Sequence, residues 1–160
     1  MYVLSNKNWH FKRFLWTFGH FKVPLIGRVK PKLIDLSDRQ IVVKIPYRWR
    51  NKNHLKSMYF GALCIGADVA GGFHGLYHAK KSGENVSLAF KSFEANFIKR
   101  PDSDVYFVSQ MGDTVQAMIR QAKAENRRVN EPIVVKAYNY YPALAESVAE
   151  FSLVLSLKII

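Results

Sequence analysis

The chain has 160 residues, 49% of them hydrophobic and 14% aromatic, with a formal net charge of +12 at pH 7. That composition excludes a disordered chain and suffices for one domain with a sizeable core. No run of about 18 apolar residues occurs, which excludes a membrane-spanning helix, and the single Cys64 allows no internal disulfide, so a reducing, cytoplasmic setting is expected.

The charge is uneven. Residues 1–56 hold thirteen Lys and Arg against Asp35 and Asp38, whereas residues 57–160 hold eleven against ten acids. A basic face built from the first third attracts phosphates, acidic proteins or an anionic membrane. The ordinary alternative is a solvated basic surface.

Met1–Asn8 shows no signal-peptide pattern. Trp9–Lys22 reads as an amphipathic helix, with Phe11, Phe14, Leu15 and Phe18 at three- and four-residue spacings. Gly19 and Pro24 are expected to end it. Such a stripe usually packs on its own domain; touching lipid or an acyl chain is the alternative. Lys32–Leu36 and Gln40–Pro46 read as strands joined at Ser37-Asp38, and Tyr47–Arg50 as a continuing extended segment. Asn51–Lys56 is loop. From Met58 to about Tyr77 runs a central helix rich in Gly and Ala, where Gly71-Gly72 implies a close neighbouring backbone or a bend. Val86–Ile98 is a long alternating strand and Asp104–Ser109 a short one. Met111–Glu125 is a second amphipathic helix, and Ile133–Tyr140 and Ser147–Lys158 close the chain as strands. Hairpin-connected strands around one helix give an antiparallel sheet with that helix on its inner face.

Chemistry concentrates in residues 53–72. Asp68 is a lone carboxylate among Ala, Ile, Cys and Val, a costly placement without a partner or a task. The start of this helix leaves backbone N–H groups unpaired, ready for an oxyanion. Gly61 permits close approach of a substrate, and Asn53 is placed to orient water or a carbonyl; a cap or turn role is its alternative, but Ser57 is an equally good cap and would leave Asn53 free. His54, Tyr59 and Phe60 are candidate substrate contacts, with surface or packing roles as the alternatives. Lys99 and Arg100 could hold phosphates. Asp68 lies seven residues beyond Gly61, about 10 Å along a helix axis. His74 and His78 have metal-ligand spacing but no companion carboxylate motif, and Cys64 reads as an inert buried thiol, so no metal and no nucleophilic Cys are expected.

These features resemble the hotdog fold, a curved antiparallel sheet wrapped around a long central helix. In acyl-CoA thioesterases of the phenylacetate-degradation type, a loop Asn precedes a His-Gly-Gly helix start, and a carboxylate follows along the helix. Asn53 stands at the loop Asn, Tyr59-Phe60-Gly61 where His-Gly-Gly would be, and Asp68 at the carboxylate. Tyr59 thus replaces the His and Phe60 the first Gly. The stretch is also similar to a less characterised hotdog subgroup reading Asn-His, then Tyr-Phe-Gly-Ala, then an acid and paired glycines, matched by Asn53, His54, Tyr59, Phe60, Gly61, Ala62, Asp68, Gly71 and Gly72.

The resemblance implies an α+β hotdog domain over residues 29–160; residues 1–28, read from their spacing as an amphipathic helical extension, lie outside it. It implies a thioester hydrolase acting on acyl-CoA or acyl-carrier substrates. Asp68 would be general base or nucleophile, and the helix start near Gly61 the oxyanion site. Coenzyme A would be part of the substrate, with no separate cofactor. The resemblance further implies a homodimer that brings Asp68 to the neighbour's helix start, with pairing into a tetramer as a further step. The alternative is a non-catalytic acyl- or lipid-binding module, recruited to an anionic membrane surface by its basic N-terminal region and so peripheral to the membrane. Nucleic acid is ranked last, because the strands bury their aromatics on alternate faces instead of exposing them for stacking.

Overall fold

The computed structural model describes residues 8–160, so the leading part of the expected extension, Met1–Lys7, lies outside the described residues. Helix α1 (Trp9–Thr17) runs into a π turn at Phe18–Lys22. The helical run closes at Lys22, as expected with Pro24 two residues on, whereas Gly19 lies inside it; Pro24 also begins a helix not expected from the sequence, α2 (Pro24–Val29). Proline at the first helical position loses only an N–H that would be unpaired there. Phe11, Leu15, Ile26 and Val29 of this pair are buried in the main core. Phe11 meets Phe73 edge-on at 6.4 Å between centroids.

Strands β1 (Lys32–Leu36) and β2 (Ile41–Ile45) form the expected hairpin. The segment expected to stay extended instead turns at Trp49–Asn51 in a short 3-10 helix. Asn51 is the cause: its Nδ2 donates to Val29 O at 3.0 Å and Pro46 O at 2.9 Å, drawing the chain inward. Helix α3 (Phe60–Lys81) is followed by β3 (Val86–Phe97), β4 (Val105–Ser109), α4 (Gly112–Glu125), β5 (Val129–Tyr138) and β6 (Ala149–Ile159). The last helix buries Val115, Met118, Ile119 and Ala122, one stripe at helical spacing.

The six strands form one antiparallel sheet in the order β1-β2-β4-β5-β6-β3. The curved sheet wraps around α3, which is apolar on nearly every side, as a helix enclosed by its own domain must be. Small residues let α3 sit close. A Cβ at Gly66 would lie 2.3 Å from the ring of Phe107 on β4. At Gly72 the close neighbour is the Phe90 side chain, 3.4 Å from where a Cβ would be, not another backbone. β3 is the long edge strand. Among the described residues it pairs only with β6, from Val86↔Ile159 to Phe97↔Ala149, with a bulge between Phe90 and Ser92.

Candidate active site

The loop before α3 is closed by its own side chains. Asn53 Oδ1 accepts from the backbone N–H groups of Leu55 (2.9 Å) and Ser57 (3.1 Å), and its Nδ2 donates to Ser57 Oγ at 3.0 Å. Both polar atoms of the Asn53 amide are therefore engaged inside the loop. Neither Asn53 nor Ser57 caps α3; Tyr59 occupies that position without a side-chain cap. The N–H groups of Ala62 and Leu63 reach Tyr59 O, and that of Tyr59 reaches Asn51 O at 2.7 Å. Those of Phe60 and Gly61 find no acceptor among the described residues, the ordinary condition of a first helical turn.

Aromatic rings gather here. Tyr59 packs on Phe60 (4.8 Å between centroids), and Phe60 meets Phe97 of β3 edge-on at 6.1 Å. All three are about half exposed, at 48%, 56% and 44%. The space beside Gly61 is taken: a Cβ there would lie 2.4 Å from the Tyr59 ring. His54 is exposed. Lys99 and Arg100 are exposed on the turn after β3, and that turn is tied to the helix start by Met58 N–H donating to Pro101 O at 2.7 Å. Lys99 also pairs with Glu146.

Asp68 sits apart, two turns along α3. It is partly buried at a cavity of about 330 Å³, lined by Leu15 and Phe18 of the N-terminal segment, Ile26 of α2, Phe73 of α3, and Leu88 and Phe90 of β3. Among the described residues no hydrogen bond or ion pair reaches its carboxylate. Burial among these apolar groups pushes its pKa up from 3.8. The sequence marked Asp68 but not the N-terminal side chains that share its cavity; the signal for them was the inward stripe Phe11–Leu15–Phe18. Farther along the helix, the polar side chains each hold a partner. His74 Nε2 hydrogen-bonds Ser37 O at 2.8 Å and His78 Nε2 bonds Asp38 O at 3.0 Å, while Tyr77 OH donates to Asp38 Oδ1 at 2.9 Å and Lys81 pairs with the same carboxylate. Burial holds the His74 imidazole neutral, with its pKa lowered to about 4. Among the described residues no third Cys, Asp, Glu or His joins the two imidazoles as a metal set.

Residues 9–142 match the family described as a domain of unknown function, DUF4442. The chain belongs to that family. No curated protein matches it in sequence. Solved structures resemble it closely in shape. A candidate thioesterase from Shewanella oneidensis superposes with a TM-score of 0.81 at 12% identity, over 93% of this chain and 98% of its own. A probable thioesterase from Pseudomonas aeruginosa gives 0.71 at 17% identity, over 92% and 95%. A thioesterase from Haemophilus influenzae gives 0.60 at 12% identity, over 84% and 82%. At such identities the likeness speaks to the fold, and the fold of this DUF4442 chain is the hotdog.

On that fold the expected site residues fall into two groups. The helix start brings Asn53, Tyr59, Phe60 and Gly61 close to the turn carrying Lys99 and Arg100, whereas Asp68 opens on a separate apolar cavity. In this DUF4442 chain no helix is long and apolar enough to cross a membrane, among the described residues.

Proposed function

We propose that the protein hydrolyses acyl thioesters of coenzyme A or of an acyl carrier. The observation that carries this reading is the pKa-raised Asp68 carboxylate, without a partner among the described residues, in the lining of an apolar cavity. A raised pKa makes the carboxylate a better base near neutral pH. Asp68 takes a proton from water as the water oxygen attacks the thioester carbonyl carbon. The resulting oxyanion accepts hydrogen bonds from the Phe60 and Gly61 N–H groups, aided by the positive end of α3. Collapse breaks the carbon–sulfur bond, and the departing thiolate receives the proton. Direct attack by the carboxylate, followed by hydrolysis of the anhydride, uses the same groups. Coenzyme A enters as part of the substrate, and the exposure of Lys99 and Arg100 supports a role for these two cations in meeting its phosphates.

Asp68 and Gly61 are about 10 Å apart along the helix, too far for one carbonyl. A homodimer that places Asp68 beside the partner subunit's helix start resolves the separation. Supporting it, β3 is a twelve-residue edge strand with one side unpaired among the described residues, and Phe93, Phe97 and the following Ile98 are 40%, 44% and 48% exposed.

A second reading, acyl binding without hydrolysis, is favoured by two features: the Tyr59 ring lies over Gly61, and Asn53 is committed to its loop. Free-thiol release from short, medium, long and aryl acyl-CoAs separates the two. Turnover on one class supports the hydrolase; silence with saturable acyl-CoA binding supports the binding module.

A further inference from the structure

The outward side of the N-terminal helices serves neither the core nor the Asp68 cavity. Between Asn8 and Ile34 the chain carries Lys12, Arg13, Lys22, Arg28, Lys30 and Lys32 and no carboxylate. Among these cations stand large apolar side chains in the open: Trp9 and Trp16 are each 57% exposed, Phe21 75% and Leu25 64%. They are arranged, not scattered. Trp9, Arg13, Trp16 and His20 follow helical spacing along one stripe; Arg13 lies over the Trp9 ring at 4.7 Å, His20 stacks on Trp16 at 4.2 Å, and Phe21 meets Trp16 edge-on at 6.2 Å. Meanwhile Phe11, Leu15, Ile26 and Val29 hold the same helices to the core. The pair is therefore apolar on two sides, and among the described residues only the inner side has a partner.

We propose that α1, the π turn and α2 form a docking surface for an anionic lipid membrane. Trp16, Phe21 and Leu25 enter the boundary between headgroups and acyl chains, and the surrounding Lys and Arg meet lipid phosphates. Charge selects this occupant. A segment with six cations and no carboxylate of its own disfavours a second copy of itself and attracts an anionic surface. The aliphatic Leu25 and the interfacial preference of Trp suit a bilayer better than the stacked bases of a nucleic acid. The same helices send Leu15, Phe18 and Ile26 into the Asp68 cavity, so a docked molecule holds that cavity close to lipid. Its substrate is then an acyl thioester whose tail partitions into the bilayer; that last step rests on the hydrolase reading, whereas the docking does not.

Co-sedimentation of the full chain with phosphatidylcholine vesicles, with and without phosphatidylglycerol, tests the docking. The expected result is binding only where phosphatidylglycerol is present, weakened by salt and accompanied by a blue shift of Trp emission. The combined variant Trp16→Ser, Phe21→Ser, Leu25→Ser changes exposed side chains only, so it keeps its melting curve and loses binding about tenfold or more. Three results overturn the proposal: no binding to phosphatidylglycerol vesicles, unchanged binding by the variant, or a wild-type oligomer that the variant dissolves, which makes the face a contact between copies. Thiol release plays no part in this measurement, so docking stands or falls whether or not the protein turns over a thioester.

Discussion

The two halves of α3 solve opposite problems. From His74 to Lys81 nearly every polar side chain is tied to the Ser37–Asp38 turn, and two imidazoles, a phenol and an ammonium hold the β1–β2 hairpin against the helix end. From Phe60 to Asp68 the polar groups are left open: two N–H groups without acceptors and one carboxylate without a donor, among the described residues. Bonded polar groups on a buried helix fix structure; unbonded ones retain the capacity to meet a substrate. Mutating each half therefore moves a different observable.

The largest effect belongs to the open half. Asp68→Asn lowers thiol-release turnover by about 10²–10⁴-fold, the range for a lost general base, while the melting temperature stays level or rises because a desolvated charge is gone. A stable, fully active variant, or an unfolded one, breaks the distinction. His74→Ala does the reverse. It opens a hole in a site only 1% exposed and strips Ser37 O of its donor, costing about 3 kcal/mol in denaturant unfolding with the turnover of the folded fraction unchanged.

The two halves also titrate with opposite sign. His74 takes up a proton at about 4 in the folded chain against 6.5 when unfolded. Stability present above pH 6.5 is therefore lost as pH falls toward about 4, by roughly 3 kcal/mol from this group alone. Asp68, with its folded pKa above 3.8, gains stability as pH falls through that raised value. Unfolding measured across this range in the wild type and in Asp68→Asn separates the contributions: the variant keeps the His74 loss and lacks the opposing gain. The smallest effect is Tyr77→Phe, which removes one hydrogen bond to Asp38 and costs about 1 kcal/mol or less, with activity unaltered.

Much of the fold is legible in the sequence because its signals are local. Alternation in β2, β3 and β6 and the helical stripe of α4 place those elements within a residue or two of the observed ends. Pro24 marks the end of the first helical run but conceals α2, because proline both ends and begins helices and sequence alone does not say that it does both here. β5 begins at Val129, before the expected Ile133, because Pro132 sits where β4 no longer pairs with the strand and no ladder N–H is required on that side. Asp68 stands out as the lone acid in an apolar run. The commitment of Asn53 runs against the expectation that Ser57 would cap the helix and leave it free: Ser57 instead joins Asn53 inside the loop, a pairing set by loop conformation and not by residue type. The clamp of His74 and His78 is hidden, since its acceptors are backbone carbonyls on a distant turn and leave no trace in residue identity.

The contact between Gly66 and Phe107 has a mechanical consequence. Phe107 is fully enclosed, and its ring occupies the volume a Cβ at Gly66 would need. The pair acts as a detent: α3 can neither slide along the sheet nor rotate over it without driving helix backbone into an immovable ring. Asp68 lies two residues farther on, so its address is indexed by β4 and not by the loop that leads into the helix. Insertions or substitutions in the Asn53–Ser57 loop can reshape the entrance while the carboxylate stays where it is, which lets one half of the machinery diversify without detuning the other.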